Sequence, residues 1–156
     1  MATTDYIRRA ICHEAGHAAV ALDLGFQVEM VEVHEGRPKC VIRLDSPEKT
    51  VEERFTVLTG GIAGEQFEYG NHDREACQSD QEKILERRGG GIEGYLPNAL
   101  RIIQANQACF RKLRRELTRR WVEEEGGSAF DPGPNCFELM SREEIERIWR
   151  TPGDRA

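Results

Sequence analysis

The stretch "ICHEAGHAAVALDLG", residues 11–25, places His13, Glu14 and His17 close together in a run that reads as one helix. Ile7, Ile11, Ala15, Ala18 and Leu22 recur at helical spacing, and Gly25 follows as a stop signal. Residues one turn apart share a helix face, so His13 and His17 can present both imidazoles to one metal ion. For zinc each bond would be ~2.0–2.1 Å. Glu14 is rotated about 100° from His13, which suits it to reach a metal-bound water and not to serve as third ligand on the same face. Zinc lowers the pKa of its water towards ~7, and a nearby carboxylate takes the proton. That division of labour is the physical content of the pattern HExxH. The flanks "IC" and "AAVAL" are small and apolar, so the histidines sit in a partly buried helix, where two imidazoles without a shared partner are costly.

The chain has 156 residues, enough for one domain with a real core, and a single domain over 1–156 is expected. A net charge of −6 argues against nonspecific attraction to nucleic acid or to an acidic membrane. No apolar stretch approaches the ~18 residues of a membrane span. The motif helix begins so close to Met1 that no signal peptide is expected. Five cysteines (Cys12, Cys40, Cys77, Cys109 and Cys136) are odd in number, widely spaced and without a CxxC pair. They argue against a disulfide framework and a four-cysteine zinc knot, and for free thiols in the reducing cytoplasm.

Along the chain, residues ~4–24 read as the first helix, capped by Thr3 or Thr4. "VEMVEVH" alternates apolar and polar residues as a half-buried strand does, "EGRP" turns, and "KCVIRL" returns, which predicts a hairpin. "SPEKTVEERFTVLTGGIAGEQFEYG" is the second helix, with Ser46 as its cap and Pro47 at its first position. Val51, Phe55, Leu58, Ile62 and Tyr69 form its apolar stripe, and Glu65 sits on that stripe too. Gly60, Gly61 and Gly64 each weaken this helix by ~1 kcal/mol relative to alanine. The expected compensation is close approach of the motif helix, whose Ala15, Gly16 and Ala19 are also small. A third helix starts within "NHDREACQSD" and runs to about residue 88, "GGGIEGYLPN" is a loop, and a long fourth helix covers ~98–124. Leu100, Ile103, Phe110, Leu113, Leu117 and Trp121 lie on one side of the fourth. After a break at "GGSAFDPGPN" a short last helix follows Ser141, which forms a capping box with Glu144. The fold class is therefore α+β, predominantly helical with a small β-hairpin or sheet.

A third protein ligand can come from several places. One pattern continues HExxHxxGxx with a last His or Asp, and Asp23 stands there, but Val20 replaces the glycine and the helix runs on. Asp23 is about 240° round the helix from His17 and should point away. Glu29, Glu32 and Glu35 lie in or beside the hairpin and are set aside. Glu65, His72, Asp73 and Asp80 remain.

Three motifs in order, "ICHEAGHAAVAL", "LTGGIAGEQFEYG" and "ACQSDQEKI", resemble the peptidase domain of the FtsH-type AAA+ zinc metalloproteases over roughly residues 6–85. That family shows HEAGH, a glycine-rich helix of the form GGRAAEE…FG, and a segment GAxNDLxxAT whose aspartate is a zinc ligand. The resemblance implies a zincin-like fold, zinc at His13, His17 and Asp80, and Glu14 as general base. Asp80 lies three residues after Cys77 and four before Ile84, on the inward stripe of its expected helix. Glu65 is the other ligand candidate; it can instead accept a bond from a ligand imidazole and hold its orientation. The chain departs from the family in lacking any GxxxxGK[ST] and any membrane anchor, and in placing Ile62 and Gly64 where the family has arginine and alanine. A free-standing, ATP-independent protein is expected.

The remaining features carry less. "RKLRRELTRR" (111–120) suggests a nucleic-acid patch, but Phe110, Leu113 and Leu117 stripe the same helix and Glu116, Glu123, Glu124 and Glu125 adjoin it, so a solvated face is the better reading. His34 ends a strand and reads as a surface residue. "GGGIEG" lacks the strand-then-helix setting of a phosphate loop. The expected function is a zinc metallopeptidase acting on unfolded or extended polypeptide. Its partners are that substrate, with a homo-oligomer or a separate unfoldase possible, and neither nucleic acid nor membrane. The alternative is a metal-containing binding or regulatory module, derived from a peptidase, that has lost turnover. Intact Glu14 favours the first. A structural zinc would tend to be closed by a fourth protein ligand, from Cys77 or His72.

Overall fold

The computed structural model describes residues 4–34, 37–72, 91–124 and 137–150. In chain order these form helix α1 (Thr4–Asp23), strands β1 (Gln27–His34) and β2 (Arg37–Arg43), helix α2 (Val51–Tyr69), a single 3-10 turn (Ile92–Gly94), helices α3 (Leu96–Ala105) and α4 (Gln107–Glu124), strand β3 (Phe137–Ser141) and helix α5 (Arg142–Arg150). The chain is α+β: mostly helical, with a three-stranded antiparallel sheet of order β2-β1-β3. No described helix is long and apolar enough to cross a membrane.

Helix α1 is the centre of the molecule. Ile7, Ile11, Cys12, Ala15, Ala18, Ala19, Val20 and Ala21 are all buried, so both its sides are covered along most of its length. It ends at Gly25, which adopts φ +80°. There the Gly25 N–H donates to Leu22 O (3.2 Å) and the Phe26 N–H to Ala21 O (2.8 Å), the paired bonds that turn a helix end into an extended strand. In β1 the buried valines are Val28, Val31 and Val33. Strict alternation fails because the register with β2 shifts between Val28 and Met30.

Helix α2 starts later than Ser46–Pro47 predicts. Thr50 is its cap: Thr50 Oγ1 accepts from the Glu53 N–H (3.1 Å), and Glu53 Oε1 accepts from the Thr50 N–H (3.0 Å). This reciprocal box satisfies two amides at once. The residues before it are held as a connection by Arg54, which donates to Leu44 O (2.8 Å) and Ser46 O (2.9 Å). Phe55, Leu58 and Ile62 are buried, while Val51 and Tyr69 at the helix ends are exposed. As expected, α2 packs backbone-to-backbone on α1. A Cβ on Gly16 would lie 2.2 Å from Gly60 O, and one on Gly60 would lie 2.8 Å from Gly16 O.

The single helix expected over ~98–124 is two helices, α3 and α4, divided at Asn106. The Asn106 N–H is shared between Ile102 O and Ile103 O (3.1 Å each), and its side-chain amide donates to Ile102 O (2.9 Å) and to Asp23 Oδ1 (3.0 Å). An asparagine that bonds back to the preceding turn competes with helix continuation. The apolar stripe is otherwise as read: Ile103, Phe110, Leu113, Leu117 and Trp121 are buried. The third helix expected to end near residue 88 lies outside the described residues. The basic run is a paired surface: Arg111 and Arg114 both meet Glu68 (2.8 and 3.3 Å), and Arg119 meets Glu116 (3.0 Å). Strand β3, which the sequence reading omits, completes the sheet beside β1 and buries Leu139 and Met140. Ser141 caps α5, accepting from the Glu144 N–H at 3.3 Å, and Arg120 of α4 reaches both Glu144 and Leu139 O.

Gly16→Ala should destabilise the protein by about 2–3 kcal/mol in urea unfolding, because neither backbone can yield to the added methyl. Gly94→Ala, with nothing within 4 Å of its Cβ position, should change stability by less than about 0.5 kcal/mol. The Arg120 guanidinium, with the Ser141 bonds, holds the Glu144 carboxyl down at about 2. Its folded pKa lies below its unfolded one, so its stabilisation is present above pH 4.5 and is lost as the pH falls from there to about 2. Glu144→Gln should flatten the fall in melting temperature across that window.

Candidate metal centre

The repeat of four on α1 carries Arg9, His13 and His17 along one face. That face lines a cavity of about 480 Å³, closed on the opposite side by β2 and at its floor by Val57, Leu58 and Glu65 of α2. His13 and His17 are both buried, their Nε2 atoms are 3.0 Å apart, and their rings meet edge to face.

The far nitrogen of each ring is held by α2. His17 Nδ1 lies 2.8 Å from Val57 O, and His13 Nδ1 lies 2.8 Å from Glu65 Oε2. A carbonyl and a carboxylate only accept, so both Nδ1 atoms carry a proton and both Nε2 atoms turn towards the same point. Two lone pairs at this separation repel unless a proton or a metal cation lies between them. Tetrahedral zinc holds two ligand nitrogens ~3.3 Å apart, a few tenths of an ångström wider than here. The donor chemistry therefore fits two ligands of such an ion. Gly61 makes the arrangement sterically possible: a Cβ there would lie 2.3 Å from His13 Nε2.

Glu65 is a buried carboxylate with its charge answered on both oxygens. Oε2 faces His13, and Oε1 lies 3.4 Å from Arg9 Nε. Arg9 is fixed in turn, donating to Asn71 O (3.1 Å) and Asn71 Oδ1 (2.6 Å) with its guanidinium 4.8 Å from the Tyr69 ring centre. Glu14 is half-buried in the same cavity, and its Oε2 accepts from the Cys40 N–H of β2 at 2.7 Å.

The other candidates separate clearly. Asp23 accepts from Asn106 at the far end of α1. His72 Nδ1 is 2.9 Å from the side-chain amide of Gln66, outside the cavity lining. His34 is exposed at the end of β1. Asp73, Cys77 and Asp80 lie outside the described residues. Among the described residues, no group of three His, Cys, Asp or Glu side chains is placed to hold a metal ion. Cys12, Cys40 and Cys109 form no disulfide. Burial pushes the Cys12 thiol up to about 12, and burial together with the nearby Glu14 charge raises Cys40 well above its ordinary value. Neither supplies a thiolate near neutral pH.

Three site groups are missing from the sequence reading. Arg9 had a signal, the spacing Arg9-x₃-His13-x₃-His17. The Cys40 amide and the Val57 carbonyl had none, being backbone groups brought in by the fold. No protein-family model matches the chain, and no curated protein matches it.

The tautomers are directly measurable. With a chelator present, long-range ¹H–¹⁵N spectra should show His17 protonated at Nδ1. An unprotonated Nδ1 would contradict the bond to Val57 O.

Proposed function

We propose that the chain is a zinc-dependent metallopeptidase of zincin type, acting in the cytoplasm on unfolded or extended polypeptide without ATP. The observation that carries this reading is the convergence of two imidazole Nε2 atoms, each with its other nitrogen locked, in a cavity shared with Glu14. His13 and His17 would hold the ion, and Asp80 is proposed as third ligand on the resemblance of its segment to the FtsH-type peptidases. Glu65 would orient His13, the role that carboxylates commonly play behind ligand histidines. When bound, zinc supplies positive charge that acidifies water and polarises a peptide carbonyl.

The rest falls to the chain itself. Glu14 takes the proton of the attacking water and passes it to the leaving amine. The Cys40 amide holds the Glu14 carboxylate over the cavity, so the base is oriented before substrate arrives. Strand β2 is an edge strand that lines the cavity, and an extended peptide can lie along it. A folded substrate rarely opens such a segment, since stabilities of ~5–15 kcal/mol keep the open population small. Cysteines 12, 40 and 109 as thiols outside any disulfide suit a reducing compartment.

The purified protein should bind about one zinc per chain, and His17→Ala should abolish that binding. Glu14→Gln should keep zinc and lose cleavage of casein by about 10²-fold or more. Asp80→Ala should weaken zinc more than Glu65→Ala, whose cost is ~10–100-fold. Failure of the zinc-loaded parent to cleave casein would favour the binding-module reading. Full zinc retention by His17→Ala would end the metal-site reading.

A further inference from the structure

Among the described residues, the charges around the cavity are committed except for two. Glu65 is engaged by His13 and Arg9, Arg9 by Asn71, and Glu14 by the Cys40 amide. Arg43, further along β2, lies 3.7 Å from Glu29. Arg37 and Lys39 also line the cavity, both are exposed, and neither has an ion-pair partner among the described residues. Strand geometry explains their position. Pro38, Cys40 and Ile42 turn towards the core, so Arg37, Lys39 and Val41 share the outer face of β2. Alternate residues put the two cations ~6.6–6.8 Å apart along the strand.

The edge itself offers little main-chain pairing. The Cys40 N–H points away from β1, since Glu14 takes it, so the outward positions of β2 are 38, 40 and 42. Pro38 has no N–H, and that of Cys40 is in use. A segment lying along β2 therefore gains fewer backbone bonds than an open edge gives, and side-chain complementarity has to supply more of its affinity. Two cations with no ion-pair partner among the described residues, on the outer face of the strand that borders the cavity, define that complementarity.

We propose that this cavity selects polypeptide segments with acidic side chains at alternate positions, paired with Arg37 and Lys39 as the segment runs along β2. Cleavage of such segments rests on the peptidase reading above, whereas their selection is measurable by binding alone. In an added strand, the residues facing these cations recur every second position, with cross-strand Cβ separations of ~4.5–5.5 Å. Opposite charges there attract and like charges repel.

The test uses three unstructured peptides of one length carrying Glu, Ser or Lys at every second position. Binding is measured by fluorescence anisotropy on Glu14→Gln protein, and cleavage as kcat/KM with the parent. The Glu peptide should bind and be cut about tenfold better than the Lys peptide, with Ser between them. The difference should shrink as salt screens it. Arg37→Glu with Lys39→Glu should invert the order, and Arg37→Gln with Lys39→Gln should collapse it. Both sites are exposed, and unchanged melting temperatures would show that the fold is kept. Equal binding of the three peptides, or an unchanged order in the charge-reversed protein, overturns the proposal. So does equally tight binding of a single-stranded oligonucleotide, which would show attraction to any polyanion. Selective binding without cleavage would uphold the selection and remove the peptidase reading; cleavage without selectivity would do the reverse.

Discussion

The contact between Gly16 and Gly60 sets how near α1 and α2 can lie, and the candidate site depends on that distance. Val57 and Glu65 stand two turns apart on α2, and each meets the Nδ1 of one histidine on α1 at 2.8 Å. A methyl group at either glycine would push the helices apart and lengthen both bonds together. Gly61 adds the lateral space in which the His13 ring turns. One helix thus carries both imidazoles and the other fixes their rotation, so neither ring depends on a flexible loop for its aim. The helix propensity given up by three glycines, ~1 kcal/mol each, is the cost of that geometry.

Glu65 shows how the same contact makes a buried charge tolerable. An isolated carboxylate at 2% exposure would be strongly unfavourable. Here it accepts from His13 and faces Arg9, which stacks on Tyr69 and bonds the backbone beyond α2. Arg9, Glu65 and His13 form a chain from the cavity mouth to its floor. Removing Arg9 would take from Glu65 the cation that faces its Oε1. Removing Glu65 would release the ring it aims. Truncating one member of such a chain costs more than the bond it makes, because the survivors stay buried.

Much of this was legible in the residues, and the omissions have physical causes. Helical spacing puts His13, Glu14 and His17 together, and the small residues on both helices point to their contact. The position of Glu65 on an otherwise apolar stripe marked it as a carboxylate with a buried partner. Periodicity could not locate the break at Asn106, because the apolar stripe runs through it and only the asparagine's own hydrogen bonds divide the helix. Nor could it find β3, a five-residue strand whose pairing with β1 is a long-range event. Ser46–Pro47 is a sound helix start by local chemistry, and Thr50 prevails because Glu53 returns its bond. The groups least visible in sequence were the Cys40 amide and the Val57 carbonyl, since every residue carries such groups and only the fold selects these two.

Glu14 joins the two halves of the site. The imidazoles belong to the helical layer, while β2 belongs to the sheet, and the bond from the Cys40 N–H to Glu14 spans the cavity between them. The amide that steadies the carboxylate is one that an incoming strand would otherwise use, and the neighbouring outward position is proline. The edge is thereby guarded against indiscriminate strand pairing, as exposed edges in stable proteins generally are. On the proposed reading, the same feature orients the base and makes entry depend on what the incoming segment offers Arg37 and Lys39. Edge protection, orientation of the base and selection by charge then share one origin, the placement of Pro38 and Cys40 on alternate residues of an edge strand facing α1.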